Sequence, residues 1–130
     1  MAYEHTGHAV HLLNYHLVWC PKYRRKVLEG AVADRLRMLV PEIASEHDWT
    51  VLELAVQPDH VHLFVRVRPI DSPHLIVRAF KGRTSRLLRQ EFPALRRRLP
   101  TLWTRSYFVG TAGNVSAATI QRYIEAQKGV

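Results

Sequence analysis

Two interleaved sets of side chains run along Thr50–Gln57, Val51, Glu53, Ala55 and Gln57 against Leu52, Leu54 and Val56, a period of two that predicts a half-buried strand. Pro58–Asp59 reads as a turn, and His60–Val67 as a second strand close enough to pair with the first as a hairpin. Earlier in the chain, Asn14–Cys20 is rich in β-branched and aromatic residues and stops at Pro21, which predicts another strand, followed by a basic turn from Lys22 to Lys26. From Val27 to about Asp48 the period changes: Val32, Leu36, Leu39, Val40 and Ile43 recur at helical spacing, with Pro41 expected to kink or split the helix. Ser72–Pro73 gives a hydroxyl at the N-cap and proline at the first helical position, so a second helix is expected to about Glu91, weakened at Gly82. Ser106–Ala112 predicts a last strand, broken at Gly113–Asn114, and Ser116 caps a final helix through Gln127.

The resulting order, βαββαβα, predicts an α+β fold: a ferredoxin-like sandwich with helices on one face of an antiparallel sheet. At 130 residues the chain is expected to form one domain over 1–130, with residues 1–13 as a variable N-terminal arm.

Composition narrows the partner. Lys and Arg number 19 against 11 Asp and Glu, a formal net charge of +8, so a polyanion is the natural ligand. Arg78, Lys81, Arg83, Arg86, Arg89, Arg96, Arg97 and Arg98 fall within one stretch whose sole acid is Glu91. Such clustering points to phosphate contacts, against the simpler reading of a solvated helix face. The hydrophobic share of 47% excludes a disordered tail. A single cysteine, Cys20, excludes an internal disulfide and reads as a core thiol. With no apolar run of membrane-spanning length and no signal-peptide pattern, the expectation is a soluble, cytoplasmic protein.

Candidate chemistry lies in two places. In His60–Val61–His62 the imidazoles at i and i+2 of a strand share one face, which makes half of a metal site. Near the C-terminus, Tyr123 and Gln127 stand four apart on one helix face, so a phenol and an amide oxygen could meet the histidines if that helix packs across the sheet. Each pair alone has an ordinary structural explanation.

Taken together the motifs become specific. His-Leu-Val-Trp-Cys-Pro-Lys-Tyr-Arg at 16–24, Gln-Pro-Asp-His-Val-His-Leu at 57–63, Phe-Lys-Gly-Arg-Thr-Ser-Arg at 80–86, Leu-Trp at 102–103, Ser-Tyr-Phe-Val at 106–109 and Tyr-Ile-Glu-Ala-Gln at 123–127 resemble, in this order, the TnpA-type single-tyrosine transposases of the His-hydrophobic-His endonuclease superfamily. The resemblance implies that Tyr123 is a nucleophile, that His60, His62 and Gln127 bind a divalent metal, magnesium or manganese, and that the protein is a homodimer with its sheets joined. It also implies a substrate: single-stranded DNA with hairpin ends, cut and rejoined through a covalent phosphotyrosine. By ligand type alone, two imidazoles and an amide would equally suit zinc, manganese or nickel. His5, His8 and His11 match no motif and are read as part of the arm.

Phosphodiester cleavage needs positive charge where the phosphoryl oxygens gain negative charge, and a tyrosine near a cation is more readily ionised. The basic residues Arg78, Lys81, Arg83, Arg86 and Arg89 are expected to track the DNA backbone, with Arg96–Arg98 extending the track. Lys22, Tyr23, Arg24 and Arg25 would form a second basic site with an aromatic for base stacking. Trp19, Phe80, Trp103 and Phe108 read as core. Other functions remain open: a replication-initiation or relaxase nuclease of the same superfamily, a DNA-hairpin binder without catalysis, or a zinc-binding structural protein.

Overall fold

The structure is a computed structural model that describes residues 4–6, 9–11, 13–111 and 116–130. Four strands form the main sheet: β3 (Leu13–Trp19), β4 (Thr50–Gln57), β5 (His60–Val67) and β6 (Phe108–Thr111), arranged β4-β5-β3-β6 with every neighbouring pair antiparallel. Because β5 lies between β3 and β4, the link from β3 to β4 must cross over it. Helix α1 (Gly30–Glu46) makes that crossing. The link from β5 to β6 likewise crosses β3 through α2 (Pro73–Glu91) and a short α3 (Pro93–Arg98). Parallel crossovers of this kind are the reason that strands so far apart in sequence become neighbours. The last helix is α4 (Ala117–Ala126), and two short strands, β1 (Glu4–Thr6) and β2 (Ala9–His11), pair with each other in the arm.

The expected α+β arrangement with an antiparallel sheet is present, and the expected hairpin β4–β5 is present at its predicted bounds. One expectation is corrected: the helices do not all lie on one face, since α4 packs against Phe108 on the side opposite α1 and α2. The remaining differences are local. Helix α1 begins at Gly30, because Val27 and Leu28 are buried in extended chain, and Pro41 lies within an unbroken helix without splitting it. No motif announced α3, a six-residue helix opened by Pro93. The predicted strand from Ser106 starts two residues later at Phe108; its expected end at Ala112 and the break at Gly113–Asn114 lie outside the described residues, as do the side chains of His5, His8 and His11.

Alternation along β5 sorts its side chains. Val61, Leu63, Val65 and Val67 are buried and join Leu17 and Trp19 of β3 beneath α1 and α2, where Leu36, Leu39, Val40, Ile43, Ile76, Phe80 and Leu88 complete the core. Trp19 stacks on Phe80 and meets Trp103 edge to face. Each fully buried aliphatic or aromatic side chain of this kind contributes roughly 1.5–3 kcal/mol. Val18 and Cys20 are buried too, but on the opposite parity and outside that cluster. Among the described residues no helix is long and apolar enough to cross a membrane.

Two substitutions on α2 should therefore move stability in opposite directions. Phe80→Ala removes a fully buried ring and should cost about 3–5 kcal/mol in denaturant unfolding. Gly82→Ala, at an exposed helical position with open space around a new Cβ, should gain about 0.5–1 kcal/mol. A destabilised Gly82→Ala protein would show that the helix is not continuous there.

Candidate active site

The residues of β5 that alternation keeps out of the core are His60, His62, Phe64 and Arg66. The rings of His60 and His62 stand 4.8 Å apart between centroids, at 79° to each other. Each has its Nδ1 engaged from outside the pair. His60 Nδ1 lies 2.8 Å from Asp59 Oδ1, and His62 Nδ1 lies 3.3 Å from Nε2 of His16 on β3. His16 is itself buried and stacked on Phe64 at 4.1 Å. A carboxylate only accepts, so His60 Nδ1–H donates to Asp59; a metal on Nε2 of His62 would require the tautomer in which its Nδ1–H donates to His16. Burial, then the neighbouring charges of His60 and His16, push His62 down to about 4, and burial lowers His16 against the opposing pull of Glu53. Both rings are thus neutral at physiological pH.

The second cluster forms where α4 meets the segment before β6. Ser116 caps α4 by accepting from the Thr119 amide, which sets the helix in phase. Tyr123 Oη lies 3.1 Å from Ser106 Oγ, and Ser106 Oγ donates to Gln127 Oε1 at 2.7 Å. The i, i+4 pair therefore converges on one hydroxyl. Gln127 is buried and its amide nitrogen also donates to the Tyr123 carbonyl at 3.3 Å. Burial raises the Tyr123 phenol above its ordinary value, and the Ser106 hydrogen bond opposes that shift, so the phenol is protonated at neutral pH.

Strand register places the two clusters on one side of the sheet. Phe108 pairs with Val18, and Val18 pairs with His62, so the three side chains share a face; the Tyr123 ring stands 6.2 Å from that of Phe108. Helix α4 thus meets the face that α1 and α2 leave uncovered. No hydrogen bond among the described residues joins Tyr123 or Gln127 directly to His60 or His62, and no three His, Cys, Asp or Glu side chains there are arranged to hold a metal ion. A complete site would need Gln127, or oxygens from a ligand, beside the two imidazoles. Cys20 lies near both clusters: its thiol is pushed up to about 12, by burial first and then by the Asp59 charge, and Cys20 in turn adds to the rise at Tyr123.

The basic residues divide into two groups. Arg25, Arg78 and Arg86 are exposed, and Lys22 lies 5.0 Å over the ring of Tyr23, which is itself exposed. Arg86 and Arg89 line a groove along α2 with Gly82, Ser85, Gln90 and Arg96. A neighbouring hollow is lined by Lys22, Lys81, Trp103, Thr104 and Arg105, and shares Gly82 and Ser85 with that groove. The others carry internal partners. Lys81 Nζ donates to the carbonyls of Thr104 at 2.6 Å and Ser106 at 2.9 Å, and burial pushes it down to about 8. Arg83 is paired with Glu46 and Glu42 of α1, Arg24 with Asp59, and Arg89 donates to the Pro100 carbonyl at 3.0 Å. Lys81 thereby pins the segment that presents Ser106. His16, Asp59 and Ser106 were read from sequence only as strand, turn and motif residues; the adjacency of Asp59 to His60 was the one local signal available.

Comparison with known proteins follows the same lines. A family profile described as IS200-like transposase matches residues 9–127. The chain is 40% identical over 120 residues to the ISDra2 transposase TnpA of Deinococcus radiodurans, covering 91% of this chain and 86% of that protein. It is 30% identical over 115 residues to the transposase for insertion sequence element IS200 of Salmonella typhimurium, covering 87% and 75%. Among solved structures, a transposase from Deinococcus radiodurans R1 superposes with a TM-score of 0.89 at 36% identity, over 98% of this chain and 99% of that one. A REP-associated tyrosine transposase bound to a REP hairpin shares the fold, with a TM-score of 0.60 at 13% identity over 96% and 69%.

The His62 ring should titrate near pH 4 when followed by NMR, not near its ordinary 6.5. The unfolded chain then binds this proton more readily than the folded one, so stability is full above pH 6.5 and is lost as pH falls toward 4. His62→Gln should flatten that acid limb in denaturant titrations. A ring midpoint near 6.5 would mean that His62 is solvated and not held against His16.

Proposed function

The chain belongs to the IS200-like transposase family, and from that premise we propose that it cuts and rejoins single-stranded DNA at insertion-sequence ends with Tyr123 as nucleophile. What supports the reading is the placement of Tyr123 and Gln127 on one hydroxyl, on the same sheet face as the His60–His62 pair. The Tyr123 oxygen attacks phosphorus, forming a phosphotyrosine while the bond from phosphorus to the 3′ oxygen breaks and leaves a 3′ hydroxyl. The phenol proton is lost to solvent, and the departing 3′ oxygen takes up a proton in its place. A 3′ hydroxyl from a second DNA end then displaces the tyrosine. One phosphodiester replaces another, so no nucleotide cofactor is needed.

The donor set fits a divalent metal: two imidazoles whose Nδ1 atoms are engaged, and an amide oxygen that already accepts one hydrogen bond. His60, His62 and Gln127 would hold it. Magnesium or manganese bound there would supply positive charge to the non-bridging oxygens of the scissile phosphate. Asp59 and His16 fix the two rings, and a neutral amide from Gln127 leaves the site more positive than a carboxylate would. Lys22, Arg25, Arg78 and Arg86 would follow the strand backbone, with Tyr23 exposed for an unpaired base. Arg89, beside Arg96 in the α2 groove, would contribute alongside its own carbonyl contact. Hairpin ends as substrate and a homodimer with joined sheets belong to the same proposal.

Incubated with single-stranded DNA carrying its own element ends and magnesium or manganese, the protein should give a covalent adduct on denaturing gels. Tyr123→Phe should abolish the adduct, and His60→Ala or His62→Ala should reduce it by at least about 100-fold. Duplex DNA should give none. An adduct that survives Tyr123→Phe, or hairpin binding by the wild type without any cleavage, would sink the catalytic reading.

A further inference from the structure

We propose that Arg24 is a positioning residue for strand cleavage, one that ties the helix bearing Tyr123 and Gln127 to the histidine pair and does not contact DNA. The inference rests on the assignment of Tyr123 as nucleophile. Arg24 stands at the junction of three elements. Its Nη1 donates to the Ile124 carbonyl at 3.3 Å, its Nε pairs with Asp59 Oδ2 at 3.1 Å, and the other oxygen of Asp59 meets His60 Nδ1 at 2.8 Å. Each link of the path from α4 to His60 is therefore a single polar contact, and the guanidinium fork makes two of them at once. A planar fork suits that task because both bonds form from one rigid group.

Four further observations support this role. The Arg24 and Asp59 side chains are only 23% and 18% exposed, unlike the exposed Arg25, Arg78 and Arg86. A phosphate at Arg24 would have to compete with a carboxylate already in place. The backbone is held unfavourably there: Tyr23 and Arg24 take φ of 60° and 52°, the left-handed region that non-glycine residues rarely occupy. The same turn makes a second tie to the C-terminal segment, since the Tyr23 amide donates to the Val130 carbonyl at 3.0 Å. Finally, the Ile124 carbonyl lies in the last turn of α4, where the helix carries partial negative charge and a cation is favoured.

The test compares wild type, Arg24→Gln and Arg24→Lys in three measurements: hairpin affinity against salt, adduct formation rate at saturating single-stranded DNA with manganese, and amide hydrogen exchange over residues 121–130 without DNA or metal. Arg24→Gln should leave hairpin affinity within about 2-fold and its salt slope unchanged, while the saturated rate falls about 10- to 100-fold and exchange in the last turn of α4 speeds up. Arg24→Lys keeps the charge but not the fork, and should not restore the rate. The proposal is overturned if Arg24→Gln weakens binding about 10-fold with a salt slope smaller by about one phosphate and a normal saturated rate. It is equally overturned if exchange over α4 is unchanged. Should the wild type give no adduct at all, the nucleophile assignment fails, while hydrogen exchange still decides whether Arg24 holds α4.

Discussion

Everything in this structure depends on the pairing of β3 with β5 in the middle of the sheet. That register sets Leu17 beside Leu63 and Trp19 beside Val61 on the side covered by α1 and α2, and by the same alternation sets His16 and Val18 beside Phe64 and His62 on the other. A slip of one residue would exchange the two sets, burying imidazoles in the core and exposing leucine and valine. The hydrophobic effect thus fixes the chemistry: the more strongly Val61, Leu63, Val65 and Val67 are held inward, the more firmly His60 and His62 are held outward. Two crossovers bring the remaining strands to either side, and the segment ending in β6 delivers Ser106 and Phe108 beneath α4.

Much of this could be read from the chain, and the reason is periodicity. β4 and β5 fell within their predicted bounds because alternation and a Pro-Asp turn are local signals, and α2 because Ser72 and Pro73 mark its start in two residues. Tyr123 and Gln127 could be placed on one face by helical spacing alone. What could not be read is contact across the sheet. That His16 would face His62 depends on which strands pair and in what register, information carried by the whole core and by no local pattern. The same holds for Ser106, which becomes the meeting point of Tyr123 and Gln127 only once α4 is docked. Pro41 was misleading for a different reason: an exposed proline removes one helical hydrogen bond, and burial of Leu36, Leu39, Val40, Ile43 and Ala44 on the other side outweighs that loss.

Charge was legible in amount and not in allocation. A net +8 pointed to a polyanion, yet among the basic residues first assigned to DNA, Arg24, Lys81 and Arg83 are occupied within the protein and Arg89 holds a carbonyl. Spacing along α2 explains the split. Arg83 turns toward Glu42 and Glu46 of α1, whereas Arg78 and Arg86 are exposed. Lys81 turns toward the carbonyls that precede β6, where a desolvated ammonium is satisfied by several oxygens at once. A basic helix can therefore serve two ends, with one set of cations organising the site and another set left to solvent and ligand.

How α4 is attached determines how much any one of these contacts matters. Helices α1 and α2 each bury a row of large side chains in the core, but within α4 the buried residue is Ile124. Apart from the Tyr123 ring beside Phe108, the other attachments found among the described residues are polar: the Ser106 hydroxyl to Tyr123 and Gln127, Arg24 to the Ile124 carbonyl, and the tie from Tyr23 to Val130. A hydrogen bond of this type contributes a net of roughly 0.5–1.5 kcal/mol, and somewhat more when one partner is charged. Losing one such contact from α1 would be a small fraction of what holds that helix. From α4 it is a large fraction, because few other interactions share the load. Tyr123 thus sits on a helix whose position is sensitive to single polar contacts, and among the described residues the charged fork of Arg24 is a contact there that also reaches the histidines through Asp59.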